Sequence, residues 1–245
     1  MMTVNERELL RIWELGQPRH PIDRALLLCA WSRPDRQPDS LAHLPLGTVN
    51  IDLLRRRVDL FGRKLELQVP CGHCVETLEL PLDVGELLAQ FEGQEISENI
   101  EVDDHRFRLP TNMDLAAIAN SLDIEEAALH LLERCSLQSV NDATITAEVA
   151  AMADAELEKA DPMADPWFAA VCPECGKTIE AVFDPATLLW DEIQAYGKEL
   201  LRQVHTLAVA YGWTEQEVLA LAPQRRKAYL AMVEEEDAVT LRGPR

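Results

Sequence analysis

Two short cysteine motifs, Cys71–Cys74 and Cys172–Cys175, constrain the fold most, because each begins a copy of the same pattern. In both copies a glutamate lies five residues and an aspartate nine residues after the second cysteine. A pair of leucines then follows, Leu87–Leu88 in the first copy and Leu188–Leu189 in the second. The matching order predicts one unit used twice: a metal-binding turn, an alternating strand, an acidic turn and a leucine-bearing helix.

The cysteines of the two motifs predict a single structural zinc site. A C-x-x-C turn brings two thiolates to one ion, and structural zinc is almost always held by four ligands in a tetrahedron. The predicted ligands are Cys71, Cys74, Cys172 and Cys175. The residues between the pairs, 75–171, number 97, far more than the roughly 15–20 of compact zinc sites. The prediction therefore depends on the internal repeat, and its alternatives are thiols packed without metal and a redox dithiol.

The same ligand set argues against catalysis at the metal. Four thiolates leave no coordination position for water or substrate, whereas catalytic zinc keeps one open. No H-E-x-x-H, G-x-S-x-G or phosphate-binding glycine loop is present, and the chain has only 10 glycines. His43, His130 and His205 stand alone in the sequence. The sequence predicts a protein that is not an enzyme and has no small-molecule substrate.

Charge is strongly negative and unevenly distributed, with a formal net charge of −20. Residues 92–166 contain 18 acidic and 4 basic side chains, a net of −14, whereas residues 1–70 contain 9 acidic and 11 basic ones, a net of +2. Such a chain repels phosphate backbones, which argues against nucleic acid as a partner. The acidic middle either is a solvated surface or attracts a basic partner.

Targeting signals and membrane spans are not expected. No stretch approaches the roughly 20 apolar residues of a transmembrane helix. The first eight residues are polar and acidic, unlike a signal peptide. The expected location is the cytoplasm, where thiols stay reduced and bind metal more readily than they form disulfides. The two further cysteines, Cys29 and Cys135, are predicted to pack in apolar helical faces. His73 is predicted to lie at the surface and not to replace a cysteine ligand.

The predicted fold is α+β: mostly helical, with a small antiparallel zinc-ribbon-like sheet built from the two CxxC knuckles. Matching strands of the two repeats are expected to pair with each other in that sheet. The predicted divisions are an N-terminal helical segment, a zinc-ribbon core in two pieces, a mostly helical acidic insertion and a C-terminal helical segment. The N-terminal helical segment covers 1–62, and the zinc-ribbon core covers 63–91 and 167–190. The acidic insertion covers 92–166, and the C-terminal helical segment covers 191–245.

A possible helix-turn-helix lies near the C-terminus, in predicted helices over 215–221 and 224–236. Arg225, Arg226 and Lys227 begin its second helix, where a DNA-reading helix would carry them. The same helix ends in four consecutive acidic residues, 234–237. A solvated face or a protein contact therefore explains the basic triplet more simply than DNA binding.

Several local patterns, spread over most of the chain, resemble one family of proteins. They comprise Trp13-Glu14, His20-Pro21-Ile22-Asp23-Arg24-Ala25-Leu26, Leu46-Gly47 before Asp52-Leu53-Leu54 and Arg57, Phe61-Gly62, Leu109-Pro110-Thr111 with Asp114-Leu115-Ala116, Leu132-Glu133-Arg134-Cys135, and the run from His205 to Glu215 continuing to Leu219, Leu221, Arg225-Arg226 and Tyr229-Leu230. Together they resemble baseplate-assembly proteins of contractile phage tails and of phage-tail-like extracellular contractile injection systems.

This resemblance implies a non-enzymatic role, in which the protein helps a baseplate or hub component to fold or joins it in the particle. The implied partners are other tail or baseplate proteins. Surfaces around Trp190, Tyr211 and Trp213 are the candidate docking sites, although each of these aromatic residues, taken singly, is expected to pack in the core. The alternative functions are a zinc-ribbon regulator that binds nucleic acid and an enzyme that uses zinc or a dithiol.

Overall fold

The computed structural model describes residues 5–93, 97–138 and 145–242, which are mostly helical with small two-stranded antiparallel sheets. The predicted α+β class is confirmed at this level. The helices are α1 Glu6–Gly16, α2 Pro21–Ser32, α3 Pro38–Leu41, α4 Leu46–Phe61, α5 Val84–Ala89, α6 Asn112–Ile118, α7 Ile124–Cys135, α8 Ala147–Ala160, α9 Pro185–Tyr211, α10 Glu215–Ala220 and α11 Pro223–Arg242. The strands are β1 Lys64–Pro70, β2 Thr77–Asp83, β3 Asn99–Val102, β4 His105–Arg108, β5 Trp167–Val171 and β6 Thr178–Val182. None of the described helices is both long and apolar enough to cross a membrane.

The described strands form three separate hairpins, β1–β2, β3–β4 and β5–β6. The prediction that strands of the two repeats pair with each other in one sheet is therefore wrong. The physical reason is the alternation in each hairpin, which gathers its apolar side chains on one face. Leu78 of the first hairpin and Ile179 of the second are buried in one shared cluster. The two hairpins thus bury their apolar faces together instead of joining their edges.

The described chain divides into two compact units. Of the described residues, the first unit takes 19–189 and the second takes 5–18 and 190–242. The predicted N-terminal segment 1–62 thus contributes its first helix, α1, to the second unit. Sequence order does not reveal this, because the two parts of the second unit are more than 170 residues apart.

The acidic insertion belongs to the first unit and has a core of its own. Phe107 and Cys135 are fully buried there together with side chains from β3 and α8. Asp114 at the start of α6 is also fully buried. Its carboxylate accepts hydrogen bonds from Arg108 at 2.6 and 2.8 Å, from Arg134 at 3.2 Å, and from the hydroxyl of Thr111 at 2.7 Å. This ion-pair network joins the β-hairpin to α6 and α7.

The second unit is a group of helices with two buried contacts, one between Trp190 and Gly16 and one between Arg226 and Glu6. Trp190 is buried against Gly16, where a larger residue would collide with the indole ring. Trp190 therefore packs in the core, as expected for this residue taken singly, and does not form part of an exposed docking surface, because its place on α9 is the side that packs on α1. Tyr211 and Trp213 stack at 4.8 Å between ring centroids, and Tyr211 is 37% exposed.

Arg226, from the basic triplet on α11, is buried and paired with a residue at the other end of the chain. Its guanidinium donates to both carboxylate oxygens of Glu6, at 2.5 and 2.8 Å, and its Nε donates to Gln203 at 2.8 Å. The hydroxyl of Tyr196 also donates to Glu6, at 2.8 Å. Burial, and to a lesser extent this hydrogen bond, raises the pKa of Tyr196 to about 12. The triplet is therefore divided, with Arg226 inside the unit and its neighbours Arg225 and Lys227 exposed.

Arg226→Lys is expected to destabilise the second unit although it preserves the charge. The planar fork of arginine matches both oxygens of Glu6, whereas lysine offers one compact ammonium group. We expect a loss of about 1–3 kcal/mol in the free energy of unfolding, measured in urea. Arg225→Lys on the exposed side of α11 is the matched control, and an equal loss in both variants would contradict the role given to Arg226.

Candidate metal centre

The four predicted ligands come together in the first unit. Cys71 and Cys74 lie in the turn between β1 and β2, and Cys172 and Cys175 lie in the turn between β5 and β6. All four sulfur atoms lie within 4.8 Å of one another. The proximity predicted from the sequence is confirmed, and this cluster could hold a metal ion.

Two of the distances between sulfur atoms match those of a tetrahedral site. The Sγ atoms of Cys71 and Cys175 are 3.7 Å apart, as are those of Cys74 and Cys172. A metal–sulfur bond of about 2.3 Å in a regular tetrahedron places ligand sulfurs about 3.8 Å apart. Each of these two short distances joins a cysteine of one hairpin to a cysteine of the other. An ion at the centre would therefore join the two repeats.

Backbone geometry confirms that one unit is used twice. The amide of Cys71 donates to the carbonyl of Glu76 at 2.8 Å, and the amide of Cys172 donates to that of Lys177 at 2.9 Å. Strand register agrees as well, because Val69 pairs with Leu78 and Ala170 pairs with Ile179, 101 positions later in each case. The repeat therefore begins before the cysteines, at β1 and β5.

The acidic turns after the hairpins also match. Asp83 accepts a hydrogen bond from the amide of Glu86 at 3.1 Å, and Asp184 accepts one from the amide of Ala186 at 2.9 Å. A carboxylate there satisfies a free amide of the first helical turn. Both aspartates thus begin the helix that follows their hairpin, α5 in one repeat and α9 in the other.

Backbone amides surround the sulfur atoms. Hydrogen bonds from the amides of His73 and Cys74 lower the pKa of Cys71 to about 7, despite partial desolvation. The Glu76 amide also acts to lower the pKa of Cys74, but desolvation and the neighbouring thiols raise it to about 12. Four thiols so close together cannot all ionise by themselves, because the thiolates repel one another. A bound dication would remove this penalty and make all four thiolates available as ligands.

The two turns differ at one position. Gly176, directly after the second pair, has a φ of 71°, a left-handed conformation that glycine adopts at little cost. Val75 is the equivalent residue of the first pair and does not have a positive φ; its side chain is fully exposed. The first turn therefore reaches the same amide-to-carbonyl bond by another backbone path.

Burial separates ligands from packing cysteines. Cys71 and Cys172 are buried, Cys74 is half-buried and Cys175 is exposed, so the cluster lies at the edge of a small core. Cys29 and Cys135 are buried elsewhere, as predicted, and burial raises the pKa of each to about 11. A thiol held neutral in this way is a poor nucleophile and a poor metal ligand. His73 is exposed and outside the cluster.

Sequence reasoning placed a strand before the second pair of cysteines but missed its bounds, which are Trp167–Val171 for β5. Its short apolar run after Pro166 was a usable signal, because it aligns with β1 at the offset of 101 residues that relates the cysteine pairs. The pairing of Arg226 with Glu6 was also missed, since no local pattern links residues 220 positions apart.

Comparisons of this chain with protein-family models, with curated proteins and with solved structures each gave no match. What the chain does must therefore be argued from its own residues and geometry.

Proposed function

We propose that the protein is a zinc-stabilised, non-enzymatic assembly or adaptor protein of a contractile phage-tail-like particle. In this proposal one structural zinc ion is bound by Cys71, Cys74, Cys172 and Cys175 as a zinc-ribbon-like site. The observation that carries the metal part is the 3.7 Å separation of sulfurs contributed by two hairpins that are distant in the sequence.

Zinc is favoured over other ions by the chemistry of the ligands. Tetrahedral sites made of four thiolates suit zinc or iron, whereas calcium and magnesium require oxygen ligands. Four protein ligands leave no position for water, which favours a structural role over a catalytic one. The zinc would stabilise the fold by joining two hairpins that are each too small to form an independent core.

The assembly role rests on the resemblance of the motifs described above to baseplate-assembly proteins. A protein of this kind functions through its surfaces, so partner proteins take the place of a substrate. The nucleic-acid alternative is less favoured because Arg226, one of three basic residues in the candidate reading helix, is buried in an ion pair. Retention on DNA that decreases with salt would support that alternative.

Metal content tests the first part of the proposal. Protein purified without added metal is expected to contain about one zinc ion per chain by elemental mass spectrometry. Iron bound to four thiolates would colour the protein, so a colourless preparation is also expected. Less than about half a zinc ion per chain would contradict the site.

Co-purification tests the second part. The tagged protein should recover sheath, tube, spike or baseplate proteins encoded beside its own gene when these are expressed together. Recovery of none of these proteins, or a gene neighbourhood without tail genes, would contradict the assembly role while leaving the zinc site unaffected.

A further inference from the structure

We propose that a groove between the two repeats binds a basic, apolar segment of a partner protein. Its larger cavity has a volume of about 500 Å³, and a smaller cavity of about 180 Å³ adjoins it, because Pro166 and Phe183 line both. The larger cavity lies between the two repeats, whereas the smaller one is bordered by α2, α4, α6 and the second repeat. We call the two cavities together the inter-repeat groove, after the larger one; it lies wholly within the first unit. The inference rests on the proposed adaptor role, since it names the class of partner that such a protein would bind.

Apolar and aromatic side chains from both repeats form the sides of the groove. Leu82, Leu87 and Phe91 come from the first repeat, whereas Trp167 and Phe168 come from the second. Trp167 is 51% exposed, although its ring lines the cavity. Exposed aromatic residues in a concave apolar surface are typical of the anchoring positions of protein interfaces.

The segment that connects α8 to β5 lines the groove and is held in place by a side chain and a backbone amide of α4. The side-chain Nδ2 of Asn50 donates to the backbone carbonyls of Met163 at 2.8 Å and Ala164 at 3.3 Å. The carboxylate of Asp161 accepts a hydrogen bond from the amide of Gly47 at 2.9 Å. A groove fixed in this way needs little ordering when a partner binds, which favours affinity.

Charge identifies the kind of occupant. Among the described residues that line the groove none is basic, and five are acidic: Asp83, Glu86, Glu158, Asp165 and Asp184. Asp83 is paired with Arg63, and Glu158 accepts a hydrogen bond from Trp167, but the side-chain carboxylates of Glu86 and Asp165 form no hydrogen bond or ion pair with another described residue. A lysine or arginine beside an apolar side chain of the bound segment would complement these acidic residues. A second copy of a chain with a net charge of −20 would be repelled.

One residue beside the smaller cavity carries a buried donor without an acceptor. Asn112 lines this cavity and is 4% exposed, and its Nδ2 has no acceptor among the described residues. A buried donor without a partner is costly, so an acceptor supplied by a ligand would be favourable. The carbonyl oxygen of a bound peptide is such an acceptor.

The test uses the full-length protein and a fluorescein-labelled peptide of about ten residues that contains leucine, tryptophan and lysine. Fluorescence anisotropy should show saturable binding that weakens as salt is raised. The same peptide with glutamate in place of lysine should not bind. The double variant Glu86→Lys/Glu158→Lys should weaken binding of the lysine peptide by about tenfold or more, because two attractive contacts become repulsive.

The matched control is Glu133→Lys/Asp154→Lys, which changes the net charge equally at exposed positions outside the groove. It should alter the affinity by less than about threefold, through the long-range field alone. Trp167→Ala should also weaken binding by about tenfold without changing charge. Circular dichroism and metal content equal to those of the unmodified protein would show that each variant is folded.

Equal weakening by the two double variants would mean attraction to net charge alone and would overturn the groove. Unchanged peptide binding by Trp167→Ala would also overturn the groove. So would a dimer of the unmodified protein that Trp167→Ala abolishes, because a second copy would then be the occupant of the groove. If tail proteins still co-purify with the groove variants as well as with the unmodified protein, the groove proposal fails and the adaptor role stands. If the peptide binds as expected but no tail protein is recovered, the groove stands and the particle assignment fails.

Discussion

Cys172→Ser is expected to release the bound metal and to lower the free energy of unfolding by several kcal/mol. Cys172 is fully buried, and its sulfur is one of the four that the proposed zinc ion requires. Zinc contributes roughly 10–16 kcal/mol to the folding of zinc-finger peptides. The loss should be smaller here, because the two hairpins also share an apolar core that contains Leu67 and Phe183.

Urea unfolding and elemental analysis of the same preparations measure this effect. Cys29→Ser is the matched control, because Cys29 is equally buried but lies outside the cluster. Both variants place a hydroxyl group in a buried position, so the difference between their free energies of unfolding measures the contribution of the metal. A Cys172→Ser protein that retains its full zinc content and matches Cys29→Ser in stability would contradict the site. A chelator should destabilise the unmodified protein and leave Cys172→Ser unaffected.

Asp114→Asn is expected to cost about 3–4 kcal/mol, the second-largest effect. Asp114 is fully buried, and its carboxylate lies between Arg108 and Arg134. A neutral amide removes the charge that both guanidinium groups face and directs an N–H toward one of them. Asp154→Asn, on the exposed face of α8, should change the stability by less than about 0.5 kcal/mol. Comparable losses in the two variants would contradict the role given to Asp114.

The same carboxylate predicts how stability depends on pH. Burial acts to raise the pKa of Asp114, but the hydrogen bonds from Arg108 and Thr111 outweigh it and lower the pKa to about 2. A pKa that is lower in the folded state contributes stability above the unfolded value, near 4, and loses it as the pH falls through the folded value. The contribution is about 2.5 kcal/mol at neutral pH.

The stability difference between the unmodified protein and Asp114→Asn should therefore be constant above about pH 5 and shrink steadily toward pH 2. Unfolding in urea at several pH values, with chelator present in all samples, measures the difference without a contribution from metal release. A difference that grows as the pH falls would show that the pKa of Asp114 is raised and would contradict the ion-pair network.

Local patterns predicted most of the secondary structure. Thr214 with Glu217 three residues later matches the capping-box pattern in the sequence, and the structure forms this box, with the amide and hydroxyl of Thr214 both donating to Glu217 at 2.8 Å. A glycine directly after an apolar helical stripe indicates a helix end, and α9 does end at Tyr211, one residue before Gly212, which has a φ of 69°. Caps, glycines and apolar periodicity act within a few residues, so they can be recognised in a sequence without knowledge of the fold.

Contacts between distant residues were predicted only where the sequence repeats itself. The four cysteines could be assigned to one cluster because two matching units each supplied half of a tetrahedral site. The packing of one hairpin on the other, the contact of Trp190 with Gly16 and the pairing of Arg226 with Glu6 had no such signal. Each depends on which apolar or charged surface meets which, and many arrangements satisfy the same pattern.

The amino-acid sequence by itself determined the helices, the repeated unit and the ligand chemistry, because these follow from short-range hydrogen bonding and from the identity of the side chains. Only the tertiary structure decided that the repeats form two separate hairpins, that their sulfurs lie 3.7 Å apart in cross-hairpin pairs, and that an acidic, aromatic groove lies between them. The physical reason is that burial of apolar area has no preferred direction. Packing of the complete chain must select the partners that local preferences leave open.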